Sequence, residues 1–190
     1  MSNRASPGAA RGPLPPIDLS MRRMMDEGKV LIVNLAKCEL GDDSANFLGA
    51  LLVSTIGDAV FSRADIREDK RRSFFIYIDE FQNFTTLAVA SMVSELRKYR
   101  VGLVLAHQHL HQLIPDVRHA VLANVGTLIV FRLGPEDAPI MSRELSPVFE
   151  AEDLLHLPSH DIAVKLMIDG AASKPFSATT LLPSDCNGRR

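Results

Sequence analysis

Two acids at the end of an apolar run carry the clearest chemistry in this chain. In SFFIYIDEFQNFTT, residues 73–86, the run FFIYI stops abruptly at Asp79 and Glu80. A carboxylate just past a buried strand can hold Mg²⁺, directly or through its water, and a second can polarise an attacking water. Asp79 occupies the first of these positions and Glu80 the second. The same stretch also fits a plain helix start, with Asp79 or Asn83 as the capping side chain.

Gln108 and Arg132 extend the set. Gln108 leaves the apolar run VGLVLA (101–106), and Arg132 directly follows TLIVF (127–131). Parallel α/β sheets bind ligands beyond the carboxyl ends of their strands, so the four residues are expected along one edge. A glutamine there can hydrogen-bond a γ-phosphate or orient water. A guanidinium can stabilise charge on a transferring phosphoryl group, in its own subunit or across an interface. The plain alternatives are a solvated strand exit for Gln108 and a surface pair with Glu136 or Asp137 for Arg132. His107, His109 and His111 alternate, but no cysteine or carboxylate is close to them in sequence to complete a metal shell. The basic runs at 70–72 and 97–100 suit phosphate contact or, more simply, solvated helix ends.

Positioning these residues requires strands alternating with helices. Residues 2–16, SNRASPGAARGPLPP, hold four prolines and two glycines and read as a flexible leader. A short helix starts near Ser20 and is closed by Gly28. The run VLIVNL (30–35) reads as a buried strand. The turn GDDS at 41–44 leads into a helix over about 44–62, with Leu48, Leu52, Ile56 and Val60 inward. After a charged connector at 63–72 come the strand before Asp79 and a helix near 86–99, with Val89, Val93 and Leu96 inward. The run VGLVLA, a helix over about 115–124 and the strand TLIVF follow, and Pro135-Glu136-Asp137 begins a further helix. Around Asp169-Gly170 two alternating runs predict a terminal hairpin. The pattern is α/β with a mainly parallel sheet. It divides into a leader at 1–19, one domain at 20–183 and a tail at 184–190.

The composition suits a folded domain: 190 residues, 46% hydrophobic, with 21 Lys and Arg against 23 Asp and Glu. No global basic field exists to attract nucleic acid, so any DNA contact must be local or come from assembly. Cys38 and Cys186 are isolated, match no metal or redox spacing, and fit a reducing compartment. No run approaches the roughly 18 apolar residues of a membrane span, which gives a cytoplasmic reading.

A phosphate cradle is missing. The loop would read G-x-x-x-x-G-K-[ST], yet the only Gly-Lys pair is Gly28-Lys29, followed by Val30, with Arg23 where the first glycine belongs.

The segments IYIDEFQNF, SELRKYRVGLVLAHQHLHQL and LANVGTLIVFRLGPEDA occur in that order, before the closing LLHLPSHDIAVKLMIDGAASKPFSATTL. Together, from about residue 28 to 183, they resemble the C-terminal half of the TraD/TraG/TrwB-like conjugative coupling ATPases. These are type IV secretion DNA-transfer proteins in the HerA–FtsK group of RecA-like P-loop motors. The resemblance implies a partial RecA-like P-loop NTPase sheet that lacks the Walker A strand–loop–helix, which leaves a neighbouring strand unpaired. It implies Asp79 as the Walker B magnesium aspartate, acting through water, and Glu80 as the catalytic glutamate. Gln108 matches the motif glutamine that meets nucleotide, and Arg132 aligns with an arginine that serves as a finger toward a neighbouring subunit. ATP and Mg²⁺ are the implied cofactors, bound only weakly by this chain alone.

The implied partners are DNA, coupling-protein subunits in a hexamer, and relaxosome or secretion-channel proteins. The region is also similar to the TraM recognition region of that family. His107 stands where many relatives have a small hydroxyl residue, and the membrane helices that anchor relatives are not among these residues. A split gene, a truncated remnant or a fragment would each account for the missing half. Without a cradle, Walker B residues have little ground-state binding to build on, so no autonomous ATP hydrolysis is expected. The alternative functions are a non-catalytic module docking on coupling-protein subunits or relaxosome proteins, and an unrelated α/β protein whose acid pair is structural.

Overall fold

The computed structural model describes residues 20–85 and 87–181, so the leader at 1–19 and the tail at 184–190 lie outside the described residues. Helix α1 (Met21–Glu27) begins where Ser20 accepts the Arg23 N–H at 3.4 Å and ends at Gly28, whose φ of +69° is left-handed. Both ends follow from residue type, since serine supplies the capping oxygen and glycine tolerates the positive φ.

The run at 30–35 forms no strand. Val30 and Ile32 are each 88% exposed, and no ladder joins the run to a neighbour. It lines a groove together with residues 72–80. Apolar continuity marks a segment for burial, but only a facing strand can supply the main-chain partners that make it a strand.

A short helix α2 (Lys37–Leu40) leads through Gly41 into α3 (Asp42–Ser62), the long core helix. Its buried stripe is Ala45, Gly49, Val53, Gly57 and Val60, whereas Leu48, expected inward, is exposed. Small residues turn inward because neighbours sit directly on them. A Cβ built on Gly49 would lie 2.1 Å from the Phe84 ring, and one on Gly57 would lie 2.7 Å from Met92 Sδ. By length and mean hydropathy (1.4) the stretch Asp42–Asp65 could cross a membrane. Here Val53, Ala59 and Val60 belong to the core.

Strand β1 (Phe74–Ile78) pairs in parallel with β2 (Val101–Leu105), from Phe74 opposite Val101 to Ile78 opposite Leu105. Phe74, Ile76 and Ile78 pack inward with Val101, Leu103 and Leu105. Between the two strands, α4 (Leu87–Glu95) runs into a 3-10 turn at Leu96–Tyr99, with Val89, Met92 and Leu96 buried. After β2, α5 (Pro115–Asn124) buries Val117 and Val121 and precedes β3 (Leu128–Val130). Two short helices, α6 (Ala138–Glu144) and α7 (Ala151–Leu155), lead to β4 (Asp161–Lys165). Next come β5 (Met167–Ile168), β6 (Ala171–Ala172) and β7 (Phe176–Thr179).

The α/β class holds, but among the described residues only β1 and β2 are parallel. Strand β3 is the edge of an antiparallel sheet ordered β3-β4-β7, and β5 pairs with β6. The expected hairpin turns at Asp169 (φ +49°) and Gly170 (φ +83°), two successive positive φ values that match a two-residue primed turn. Among the described residues no ladder joins β2 to β3, and each has one edge without a strand partner.

One buried cation fastens the amino ends of the parallel pair. Arg63, fully buried, donates to the Tyr99 carbonyl at 3.2 Å and the Arg72 carbonyl at 2.7 Å, just before β2 and β1 respectively. Its Nε lies 3.1 Å from Asp26 Oδ1 on α1. Burial lowers the Arg63 pKa from its usual value, and the Asp26 carboxylate opposes that shift. The basic runs do related work: Arg71 bonds the Arg63 and Lys98 carbonyls, and Arg72 bonds the Glu27 carbonyl at 3.1 Å. Arg63→Ala should therefore lower the unfolding free energy by about 2–4 kcal/mol in a denaturant titration, since it strands two carbonyls while Asp26 keeps Arg22 as a partner. Arg63→Lys should recover little, because an ammonium lacks the guanidinium fork.

Candidate functional site

Asp79 and Glu80 leave β1 where the chain must turn sharply. Glu80 adopts φ 49° and ψ 42°, a left-handed conformation, at the head of a 3-10 turn at Phe81–Phe84. Such a conformation costs a non-glycine residue about 1–2 kcal/mol and persists only where surroundings enforce it. The enforcement is visible: the Phe81 side chain is fully buried and its N–H donates to the Ala106 carbonyl at 2.9 Å. Asp79 Oδ1 accepts the Glu80 N–H at 2.9 Å, and Asn83 N–H donates to the Glu80 carbonyl at 3.0 Å. Neither Asp79 nor Asn83 caps this 3-10 turn with its side chain.

The Glu80 carboxylate is held by two amides. Gln108 Nε2 donates to Oε1 at 2.7 Å, and Gln82 Nε2 donates to Oε2 at 2.6 Å. The ends of β1 and β2 are thus joined side chain to side chain, and Gln108 meets Glu80 as their strand positions predict. Asp79 is adjacent and exposed. Mg²⁺ keeps several waters and takes one or two carboxylates, so an exposed Asp79 with solvent room fits it, whereas both Glu80 oxygens already accept hydrogen bonds. Lys37 Nζ lies 3.2 Å from Asn83 Oδ1 and lines the same groove as Asp79 and Glu80.

Arg132 and the acid pair line different grooves. The arginine lines the groove between β2 and β3 together with Gln108 and, among the described residues, forms no ion pair. The surface pair with Glu136 or Asp137 is not formed, because both acids turn toward His111. Glu136 Oε2 lies 3.3 Å from His111 Nε2.

Asp137 entered the sequence reading only as a surface partner for Arg132 and at the start of a helix. Nearly fully buried, it accepts the Leu110 and His111 N–H groups at 2.9 Å each, and its Oδ1 lies 3.2 Å from His111 Nδ1. It therefore ties the segment after β3 to the loop that carries Gln108. Its carboxylate also brings a third possible ligand atom to His109 and His111, all within 4.8 Å of one another. Both oxygens are already engaged by the backbone, which is the geometry of a loop clamp. Gln82 was unmarked in sequence. Its only signal was a polar residue two positions after Glu80, and nothing in the sequence marked Asp137 as a clamp.

Neither a protein-family model nor a curated protein matches the chain. Solved structures do. The plasmid coupling protein TrwB, in complex with a non-hydrolysable ATP analogue, superposes with a TM-score of 0.63 at 16% identity, over 87% of this chain and 44% of that one. VirB4 of Thermoanaerobacter pseudethanolicus gives a TM-score of 0.52 at 16% identity, over 73% of this chain and 39% of that one. The genome packaging NTPase B204 of Sulfolobus turreted icosahedral virus 2, in complex with AMPPCP, gives 0.55 at 17% identity, over 86% and 72%. The chain has the fold of part of these proteins and spans less than half the length of the TrwB chains.

The clamp predicts that Asp137→Ala will accelerate amide hydrogen exchange at Leu110 and His111 by roughly tenfold or more, since it removes the acceptor of one buried and one half-buried donor. A pH effect should accompany it. Burial lowers the His107 pKa below its usual value, with Asp137 pulling the other way. Protonation thus favours the unfolded chain, and stability should fall as pH drops below about 6.5 toward the depressed value. Urea midpoints at pH 7.5 and 5.5 should differ less in His107→Met than in the native chain.

Proposed function

We propose that residues 20–183 are the Walker B half of a RecA-like motor domain of the conjugative coupling type, a part of an ATP-driven DNA translocase. The observation that carries this reading is the Gln108–Glu80 hydrogen bond, which links adjacent parallel strand ends on a fold shared with TrwB. In this reading Asp79 holds Mg²⁺ through water, and the ion when bound neutralises phosphate charge. Glu80 positions and polarises the attacking water as general base. Gln108 keeps the carboxylate oriented and reports the γ-phosphate to β2, and Arg132 serves a nucleotide across a subunit boundary. DNA, sister subunits in a hexamer, and relaxosome or secretion-channel proteins of the TraM-recognising kind are the partners that this assignment implies.

The chemistry is incomplete within these 190 residues. No glycine-rich loop is present to hold the β- and γ-phosphates, and positioning the phosphates is most of what catalysis of phosphoryl transfer requires. Binding of an ATP analogue should accordingly be weak for the chain alone and become measurable once a phosphate-binding half is joined to it. In that joined form, Glu80→Gln should lower steady-state ATP turnover about 10²–10⁴-fold with analogue affinity retained. Turnover by the unjoined chain that depends on Glu80, or an unaffected rate in the joined variant, would each refute the assignment.

A further inference from the structure

Histidines alternate along the chain as it leaves β2, at 107, 109 and 111, and no carboxylate lies close to them in sequence. The fold supplies two. Asp137, nearly fully buried at the head of α6, and the exposed Glu136 beside it both turn toward His111. One ring nitrogen of His109, one of His111 and one oxygen of Asp137 lie within 4.8 Å of one another. His109 and Asp137 line the groove between β2 and β3, whereas Asp79 and Glu80 line the other.

His111 meets the two acids with different nitrogens. Nδ1 lies 3.2 Å from Asp137 Oδ1, and Nε2 lies 3.3 Å from Glu136 Oε2. A tetrahedral Zn²⁺ with bonds of about 2.0–2.1 Å puts neighbouring donor atoms about 3.3 Å apart, so Nδ1 and Oδ1 already have the spacing of two ligands. An imidazole that ligates through one nitrogen gives its other N–H to a carboxylate or carbonyl, which fixes the tautomer and the ring orientation. Glu136 stands where that partner belongs. Asp137 is oriented in the same way, by the Leu110 and His111 N–H groups at 2.9 Å each. Each of its oxygens takes one of these bonds and keeps a lone pair for an ion. The loop clamp and a metal ligand are therefore compatible in one carboxylate.

We propose that His109, His111 and Asp137 bind a divalent transition-metal ion of the zinc class, with water in the fourth position and Glu136 as the outer partner of His111. Two imidazoles and a carboxylate are a donor set that suits Zn²⁺, whereas Mg²⁺ takes oxygen ligands. The two positive charges are balanced by Asp137 and Glu136. Both histidines are exposed, which gives the ion a path from solvent. The His109 ring sits 5.4 Å from that of His111 and makes no hydrogen bond among the described residues, so it can turn to the ion without breaking one. The ion ties the loop after β2 to the head of α6. Gln108 directly precedes His109, so the same ion fixes the backbone that presents Gln108 to Glu80. The site stands on these four residues and holds whether or not the chain takes part in ATP hydrolysis.

The test titrates Zn²⁺ into the full 190-residue chain after treatment with EDTA and removal of the chelator. Calorimetry should give one ion per chain. Co²⁺ should bind with the intense visible absorption of a four-coordinate site and be displaced by Zn²⁺, and Mg²⁺ should not compete. Amide exchange at Leu110 and His111 should slow about tenfold or more at saturating Zn²⁺. These two amides donate to Asp137, so they report its engagement by the ion. Glu136→Ala should weaken binding roughly 10–100-fold, and His109→Ala or His111→Ala should weaken it further. All three positions are exposed, so the variants leave the core intact. Absence of a one-to-one complex, or unchanged exchange at Leu110 and His111, overturns the proposal. So does binding that is unaffected by Glu136→Ala and lost in His107→Ala, because the ion then sits on the histidine run alone.

Discussion

The described fold hangs on the parallel ladder between β1 and β2, which is fastened at both ends by side chains from elsewhere. A two-stranded sheet is marginal by itself, and parallel pairing is slightly less stable per residue than antiparallel. At the amino end Arg63 fixes the spacing by bonding the carbonyls of Arg72 and Tyr99. Gln108 and Glu80 close the carboxyl end. Between these ends the register is set by Phe74, Ile76, Val101 and Leu103, packed on α3 and α4.

This arrangement gives the acid pair its setting. The left-handed backbone at Glu80 is held by burial of Phe81 and by its N–H bond to Ala106, which is an extension of the β1–β2 pairing. The same two strands therefore supply both the scaffold and the strain. Asp137 plays a matching part from the head of α6, holding the loop that presents Gln108. A site assembled this way ties the acid pair to the relative positions of β1, β2 and the segment after β3.

Much was legible from residue type and spacing alone. Ser20 and Gly28 bounded α1, Asp169-Gly170 set the hairpin, and the apolar runs before Asp79 and Gln108 became β1 and β2. Local chemistry decides each of these, through a cap, a positive φ or a two-residue period. What local chemistry could not decide was pairing. VLIVNL has the composition of a strand but no facing partner, TLIVF joined an antiparallel sheet, and the inward face of α3 fell on Gly49 and Gly57 because Phe84 and Met92 press against them. The sequence placed Glu80 and Gln108 at strand ends. Only the tertiary structure put the two side chains 2.7 Å apart and recruited Gln82 and Asp137, because those contacts depend on which strands lie side by side.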